Sequence, residues 1–388
     1  MKTWFSVFAA VLWFSTAGRA DNSQDLAAMG MSAFQQHSYK LAIGYFDDAL
    51  KANTNYVGAY YFRGLSYMGE KNFDHAIADL SHALLLNSND WKAYYFRGWS
   101  YADNHQYQHS IGDLDRALLL QTNTELLLLR ASVHTHLTNY DGAIGDYNLM
   151  LQLNPSSELG YLGRANVFNM EGDYGSAIMD CNLALLVNQD LPGAYKERGA
   201  AYDGEKRFDM AIADYDKVIG LTPNDPTAYL GRAMLYAEEE NYSKAAVDCS
   251  KAITLNPGDA PLYDSRGFYY CELGNYGAAI QDYKTAIALD PGFASSYNNL
   301  AWLLAVTSDA KWRNGQKAVE YAKKACDLTK WNDPTFIDTY AAANAEAGNF
   351  KEAVKWEGKI VDLMPEKNRD EAQKALHLYQ QGQPYREK

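Results

Sequence analysis

The sequence is poor in cysteine, with four in 388 residues, and poor in basic charge, with 35 Lys and Arg against 48 Asp and Glu. The second shortage argues against nucleic acid as a partner, since affinity for phosphate backbones is built mostly from Lys and Arg contacts. Catalytic signatures are missing too. There is no GxSxG, no glycine-rich phosphate loop and no Cys–His pairing at a useful spacing, so neither nucleophilic catalysis nor a cofactor has a candidate. Beyond residue 20, no stretch is apolar enough to span a membrane.

What is present begins with the leader MKTWFSVFAAVLWFSTAGRA. It has one early cation, Lys2, then an apolar run from Trp4 to Ala17 broken only by Ser6, Ser15 and Thr16, then small residues around Ala20. This pattern predicts a secretory signal peptide over residues 1–20 and an exported chain, periplasmic or extracellular. No cysteine near the cleavage site suggests a lipid anchor. Removing the leader takes away Lys2 and Arg19 and no acid, leaving 33 basic against 48 acidic residues, a balance of −15. At 47% apolar and 21% charged, the composition is that of a folded chain.

Tyr60–Tyr67 reads YYFRGLSY and Tyr94–Tyr101 reads YYFRGWSY. The arginine of that phrase recurs at Arg63, Arg97, Arg130, Arg164, Arg198, Arg232 and Arg266, at intervals of 34, 33, 34, 34, 34 and 34. An aromatic track (Tyr39, Phe73, Tyr107, Tyr140, Tyr174, Phe208, Tyr242, Tyr276) keeps the same period. So does an aspartate track (Asp79, Asp113, Asp146, Asp180, Asp214, Asp248, Asp282). Within one period, Leu262, Tyr263, Gly267 and Tyr270 are spaced for one helix face, and Ala279, Ile280, Tyr283, Ala286 and Ile287 for another. Gly274-Asn275 breaks the first helix and Asp290-Pro291 stops the second. Neither helix can bury its stripe alone, so each period needs its neighbour.

These slots resemble the tetratricopeptide repeat family. Tyr263, Gly267, Tyr270, Ala279, Tyr283, Ala286 and Pro291 fill its signature in one repeat. Tyr60, Gly64, Tyr67, Ala76, Leu80 and Ala83 fill it in another, where Ser88 stands in the Pro slot. Ten repeats start near Ser23, Val57, Trp91, Thr124, Glu158, Pro192, Pro226, Ala260, Ala294 and Pro334. The departures are local: Ser110 at an Ala slot, Ile360 at another, and about five extra residues in the ninth repeat around TSDAKWRNG. The resemblance implies an all-α, right-handed superhelical solenoid. The expected organisation is a signal peptide at 1–20, ten repeats over 21–365 with an insertion near 307–315, and a C-terminal capping helix and tail at 366–388.

Of the 30 tyrosines, twelve fall at the fourth and eleventh slots and are expected to pack repeat seams. The Arg and Asp tracks are expected to pair within a repeat or with the next, as Asp214 with Arg198 or Arg232. Cys181 and Cys249 share a slot two repeats apart, which puts them out of reach of each other; only Cys249 and Cys271, in neighbouring repeats, are placed for a bridge. His105 with His109, and His134 with His136, lack the carboxylates that would complete a metal set.

The resemblance also implies that the first helix of each repeat lines a concave groove through slots 2, 5, 9, 12 and 13. The early repeats then present Met31, Phe34, Tyr61, Leu65, Met68, Tyr95, Trp99 and Leu128, and the later ones Asp203, Glu238, Asp264, Glu272, Asp338 and Glu346. Trp99 replaces Leu65 as the sole change between the two phrases, and Trp is a common binding anchor. The family's pocket for a C-terminal carboxylate is not reproduced, because Lys92, Lys196 and Asn166 are scattered. The expectation is therefore a non-enzymatic scaffold without cofactor or metal. Its partner is a protein or peptide segment held by Tyr61, Leu65, Met68, Tyr95, Trp99 and Leu128, in envelope assembly or secretion. A homo-oligomer using that apolar face is the first alternative, and a carbohydrate groove using Asp264 and Glu272 the second.

Overall fold

In the computed structural model, which describes residues 22–363 and 369–386, the helix ends follow from local chemistry. The leader at 1–20 and Pro365 lie outside the described residues. Up to Gln189 the chain forms α1 (Asn22–Gln35), α2 (Tyr39–Ala52), α3 (Val57–Gly69), α4 (Phe73–Leu86), α5 (Trp91–Asp103), α6 (Tyr107–Leu120), α7 (Thr124–His136), α8 (Tyr140–Leu153), α9 (Glu158–Glu171) and α10 (Tyr174–Val187). A second compact unit from Asp190 holds α11 (Pro192–Gly204), α12 (Phe208–Leu221), α13 (Pro226–Glu238), α14 (Tyr242–Leu255), α15 (Ala260–Glu272), α16 (Tyr276–Leu289), α17 (Ala294–Val306), α18 (Gly315–Leu328), α19 (Pro334–Glu346), α20 (Phe350–Leu363) and α21 (Asp370–Gln380). No strand occurs among the described residues, and none of the described helices is long and apolar enough to cross a membrane.

The turn inside each repeat is a Schellman closure. After α3, the Lys71 amide donates to Met68 O at 2.9 Å and the Asn72 amide to Tyr67 O at 2.8 Å, with Lys71 at φ +59°. Asn72 then caps α4, accepting from the His75 amide. The left-handed slot recurs as His37, His105, Thr138, Lys206 and Glu240, and as glycine at Gly172, Gly274 and Gly348. Between repeats, Asp90, Ser157, Asp225 and Asp333 cap the following helix, and Pro192, Pro226 and Pro334 occupy its first position.

Within each compact unit, every helix packs on its predecessor and successor. Ala42, Ala76, Ala143, Ala211 and Ala279, at the same slot of the second helices, are fully buried where the two helices of a pair approach. In the first compact unit, aromatics that open second helices pack on the following repeat. Tyr39 covers Gly69, where a Cβ would come within 2.7 Å of the ring, and Tyr107 stacks on His136 at 5.2 Å. A volume exchange also runs along the seam: Phe46 stacks on Phe62, whereas Tyr147 and Tyr215 reach so far that Gly163 and Gly231 stand opposite them. A Cβ on Gly163 would lie 2.2 Å from the Tyr147 ring.

The ninth repeat differs. Residues 307–314 join α17 to α18 through a short 3-10 turn at Ala310–Trp312. The final helix, α21, covers α20 and part of α19 and buries Ala372, Ala375 and Tyr379.

Candidate functional site

The repeated charges form an ion-pair ladder rather than a catalytic set. Arg63, Arg97, Arg130, Arg164, Arg198, Arg232 and Arg266 each grip the Asp sixteen residues on through Nε and Nη2 together. Distances in the Arg63–Asp79 pair are 2.7 and 2.6 Å. Nη1 reaches back to the preceding repeat: Arg63 to Asp47, Arg97 to Ser81, Arg130 to Asp115, Arg164 to Asn148, Arg232 to Asp216 and Arg266 to Ser250. This second acceptor, two residues after each Asp slot, escaped the sequence reading; its signal is the polar residue at that slot in repeat after repeat. Tyrosines at slots 4 and 11 stack on the guanidinium, as Tyr263 and Tyr270 do on Arg266, both at 5.7 Å. So these rings cover an ion pair as much as they pack a seam. Asp146 is 1% exposed, and burial pushes its carboxyl above the ordinary range despite the hydrogen bonds from Arg130. Such a pair adds little net stability but is costly to break.

The apolar slots of the early repeats form a connected aromatic face. Phe62 meets Tyr61 edge to face at 5.1 Å, Tyr61 meets Phe96 at 6.1 Å, and Phe96 stacks on Trp99 at 6.4 Å. Tyr95 meets Phe96 at 5.0 Å and Trp99 at 5.9 Å. Tyr61, Tyr95 and Trp99 are half-buried; Leu65 and Met68, at 5% and 8% exposure, belong to the core beneath them. Leu128 sits apart, packed with Leu127, Ala131 and Tyr147. Phe62 and Phe96 join the face although sequence reasoning passed over them; both sit inside the duplicated phrase. The Trp99 indole N–H faces Asp103, and partial burial raises that carboxyl. Burial raises the Tyr61 phenol strongly, with Asp90 adding to it, and pushes Tyr95 up to about 12, with Glu125 adding to it.

The acidic slots are less open than their sequence suggests. Asp264 accepts from the Ser296 hydroxyl at 2.7 Å and from Asn299 at 3.3 Å, so it joins α15 to α17. Asp338 is half-buried against Glu357. Glu346 binds Arg313 and Arg386. Asp203 and Glu238 remain exposed, and burial together with the Glu238 charge raises Asp203. Slot 5 often bridges repeats: Tyr61 to Phe96, Asp264 to Ser296, and Lys196 to Asp225 and Thr227.

Histidines in the first compact unit lie against tyrosines, except His134, which meets the Asn139 amide at 3.1 Å. His109 stacks on Tyr101 at 5.2 Å, and His105 contacts the Tyr107 hydroxyl at 3.1 Å. No group of three or more His, Cys, Asp or Glu suited to a metal occurs among the described residues. None of the four cysteines is joined in a disulfide, so Cys249 and Cys271 are not bridged.

Comparison with known proteins agrees with this architecture. A family model described as "Tetratricopeptide repeat" matches residues 27–94 and 197–260, and one described as "TPR repeat" matches 267–305. No curated protein matches the chain. Among solved structures, a tetratricopeptide repeat protein from Parabacteroides merdae is 22% identical, with 60% of this chain and 93% of that one aligned at a TM-score of 0.52, which shows a shared fold. The C-terminal part of a repeat-containing protein from Cytophaga hutchinsonii is 20% identical over 62% of this chain and 99% of that one, at a TM-score of 0.49.

Proposed function

We propose that this chain, which belongs to the tetratricopeptide repeat family, is a non-catalytic scaffold that holds a peptide or helix of a partner protein against α3 and α5. Tyr61, Tyr95 and Trp99 are the contacts, Leu65 and Met68 the floor beneath them, and Leu128 a flanking contact. The leader pattern at 1–20 supports an exported setting, in envelope assembly or secretion. One observation carries the reading. The duplicated phrase changes only at Trp99, and that ring lies half-exposed on an aromatic face already fixed by Phe96 and Tyr95. A rigid aromatic surface costs little entropy when it binds, and Trp and Tyr dominate binding hot spots.

The test is affinity capture with residues 21–388 beside a Trp99→Ala/Tyr95→Ala variant of equal helicity, followed by titration of the purified partner. Hot-spot truncation costs at least about 2 kcal/mol, or about thirtyfold in Kd. Equal affinity for both proteins would remove the aromatic face from the site. If the face is instead covered by a second copy, the molar mass from light scattering rises with concentration for the parent and not for the variant.

A further inference from the structure

Three groove slots of the last two repeats are already occupied. After α21 the chain reverses at Gly382, φ +70°, where the Gln383 amide donates to Leu378 O at 2.9 Å. Residues 383–386 then run back to α17 and α19. The Tyr385 ring lies 6.1 Å from the Trp302 ring, at slot 9 of the ninth repeat. Arg386 Nη1 donates to Ala305 O at 3.2 Å, at slot 12 of the same repeat, and its Nη2 pairs with Glu346, slot 13 of the tenth. Glu346 is 14% exposed and also accepts from Arg313 Nε at 3.1 Å. Arg313 in turn donates to Thr307 O and Ser308 O, both at 2.9 Å, so the ninth-repeat insertion forms part of the clasp.

We propose that the groove face of repeats nine and ten is a receptor for an aromatic–arginine segment, which this chain fills with its own Tyr385 and Arg386. The proposal is independent of the N-terminal aromatic face and involves none of its residues. Trp302 offers a ring for an aromatic side chain, and Glu346 with Ala305 O offers acceptors for a guanidinium. A partner engages this face only by displacing residues 383–386, so its segment has to carry the same pair. A short intramolecular link gives the occupying segment an effective concentration in the millimolar range, and the competitor must exceed that.

The test uses the full chain. Trypsin accepts Arg386 only after the guanidinium leaves Glu346. Glu346→Gln should therefore speed cleavage after Arg386 by about tenfold or more, while the far-ultraviolet circular dichroism stays unchanged. A second arm titrates a capped synthetic hexapeptide of the sequence QPYREK, by NMR to millimolar concentration. The Tyr385→Ala/Arg386→Ala chain should bind it about tenfold more tightly than the parent, and adding Glu346→Gln should abolish that binding. Equal cleavage rates for parent and Glu346→Gln would overturn the clasp. Equal peptide binding by parent and double variant, or none by either, would overturn the receptor.

Discussion

Repeats two to eight and repeat ten fill the same two slots with different chemistry. In the former, slots 7 and 23 are Arg and Asp, locked sixteen residues apart. In the tenth, those slots are Tyr340 and Trp356, whose rings meet edge to face at 6.0 Å, and Trp331 stacks on Trp356 at 4.6 Å. The arginine run stops at Leu300, and there the slot that would have served it as second acceptor holds Lys284. So the ladder and its termination are written together. Seven repeats specify their register by ion pairs and leave their groove slots to vary. The tenth specifies itself by aromatic packing, and its slot 13, Glu346, is taken by Arg386 of the segment after α21. Occupancy of a groove slot thus depends on what else the chain brings to it, and the slot number alone does not decide.

Breaking the ladder should give the largest effect. Asp113→Ala leaves the half-buried Arg97 guanidinium with Ser81 as its hydrogen-bond acceptor, and losing the carboxylate of such a pair costs about 3 kcal/mol. Asp146→Ala should cost less, because Asp115 still receives Arg130 at 2.6 Å. Chemical denaturation of the full chain measures both. If the two costs were equal, the backward bonds to the preceding repeat would contribute nothing, and the contrast with repeat ten would reduce to one bidentate pair.

The architecture was legible because three residue tracks share one period. The Arg–Asp pairing followed from the same tracks, since charges repeated in register must meet in register. Site details were harder to read. Leu65 and Met68 occupy groove slots by count, yet their side chains fall into the core, because neighbouring helices close over slots 9 and 12 there. Asp264 reads as a free acid until Ser296 and Asn299, 32 and 35 residues later, are found on it. Contacts such as Arg386 on Ala305, 81 residues apart, have no periodic signal at all. The periodic tracks carried the fold, whereas side-chain contacts between distant single positions left no pattern to follow.

The buried acids of repeat ten offer a second contrast, read through pH. Glu357 is fully buried beneath α21, its carboxyl set against that of Asp338. Burial first, then the charge of Asp338 on α19, pushes its carboxyl up to about 9; burial raises Asp338 too, and Glu371 on α21 adds to that. Tyr379 of α21 and Arg386 share this environment. The folded state therefore holds a proton that the unfolded chain releases near 4.5. Its stabilisation is complete below that pH and is lost as pH rises to about 9. Glu357→Gln should flatten this fall, so that variant and parent differ most at pH 9 and least near pH 4. Hydrogen exchange across α20 and α21 reports it locally. Parallel pH profiles for the two proteins would mean that Glu357 is ionised in the fold. No comparable slope should arise from the ladder's arginines, which stay charged throughout.

The smallest expected effect lies in the turns. Gly348 makes the left-handed turn of repeat ten at φ +82°, while Lys206 and Glu240 make the same turn at +58° and +56°. An L-residue in that region costs about 1–2 kcal/mol, and glycine's extra freedom in the unfolded chain returns roughly 0.5–1 of it. Lys206→Gly should therefore stabilise by about 0.5–1 kcal/mol. The gain should appear as slower exchange of the Lys206 and Arg207 amides, which bond to Asp203 O and Tyr202 O at 2.8 Å. Gly348→Ala should lose a similar amount at Gly348 and Asn349, which bond to Ala345 O and Asn344 O. If both changes were neutral, the closing hydrogen bonds alone would hold the turn, and its backbone conformation would not distinguish the glycine turns from those made by Lys206 and Glu240.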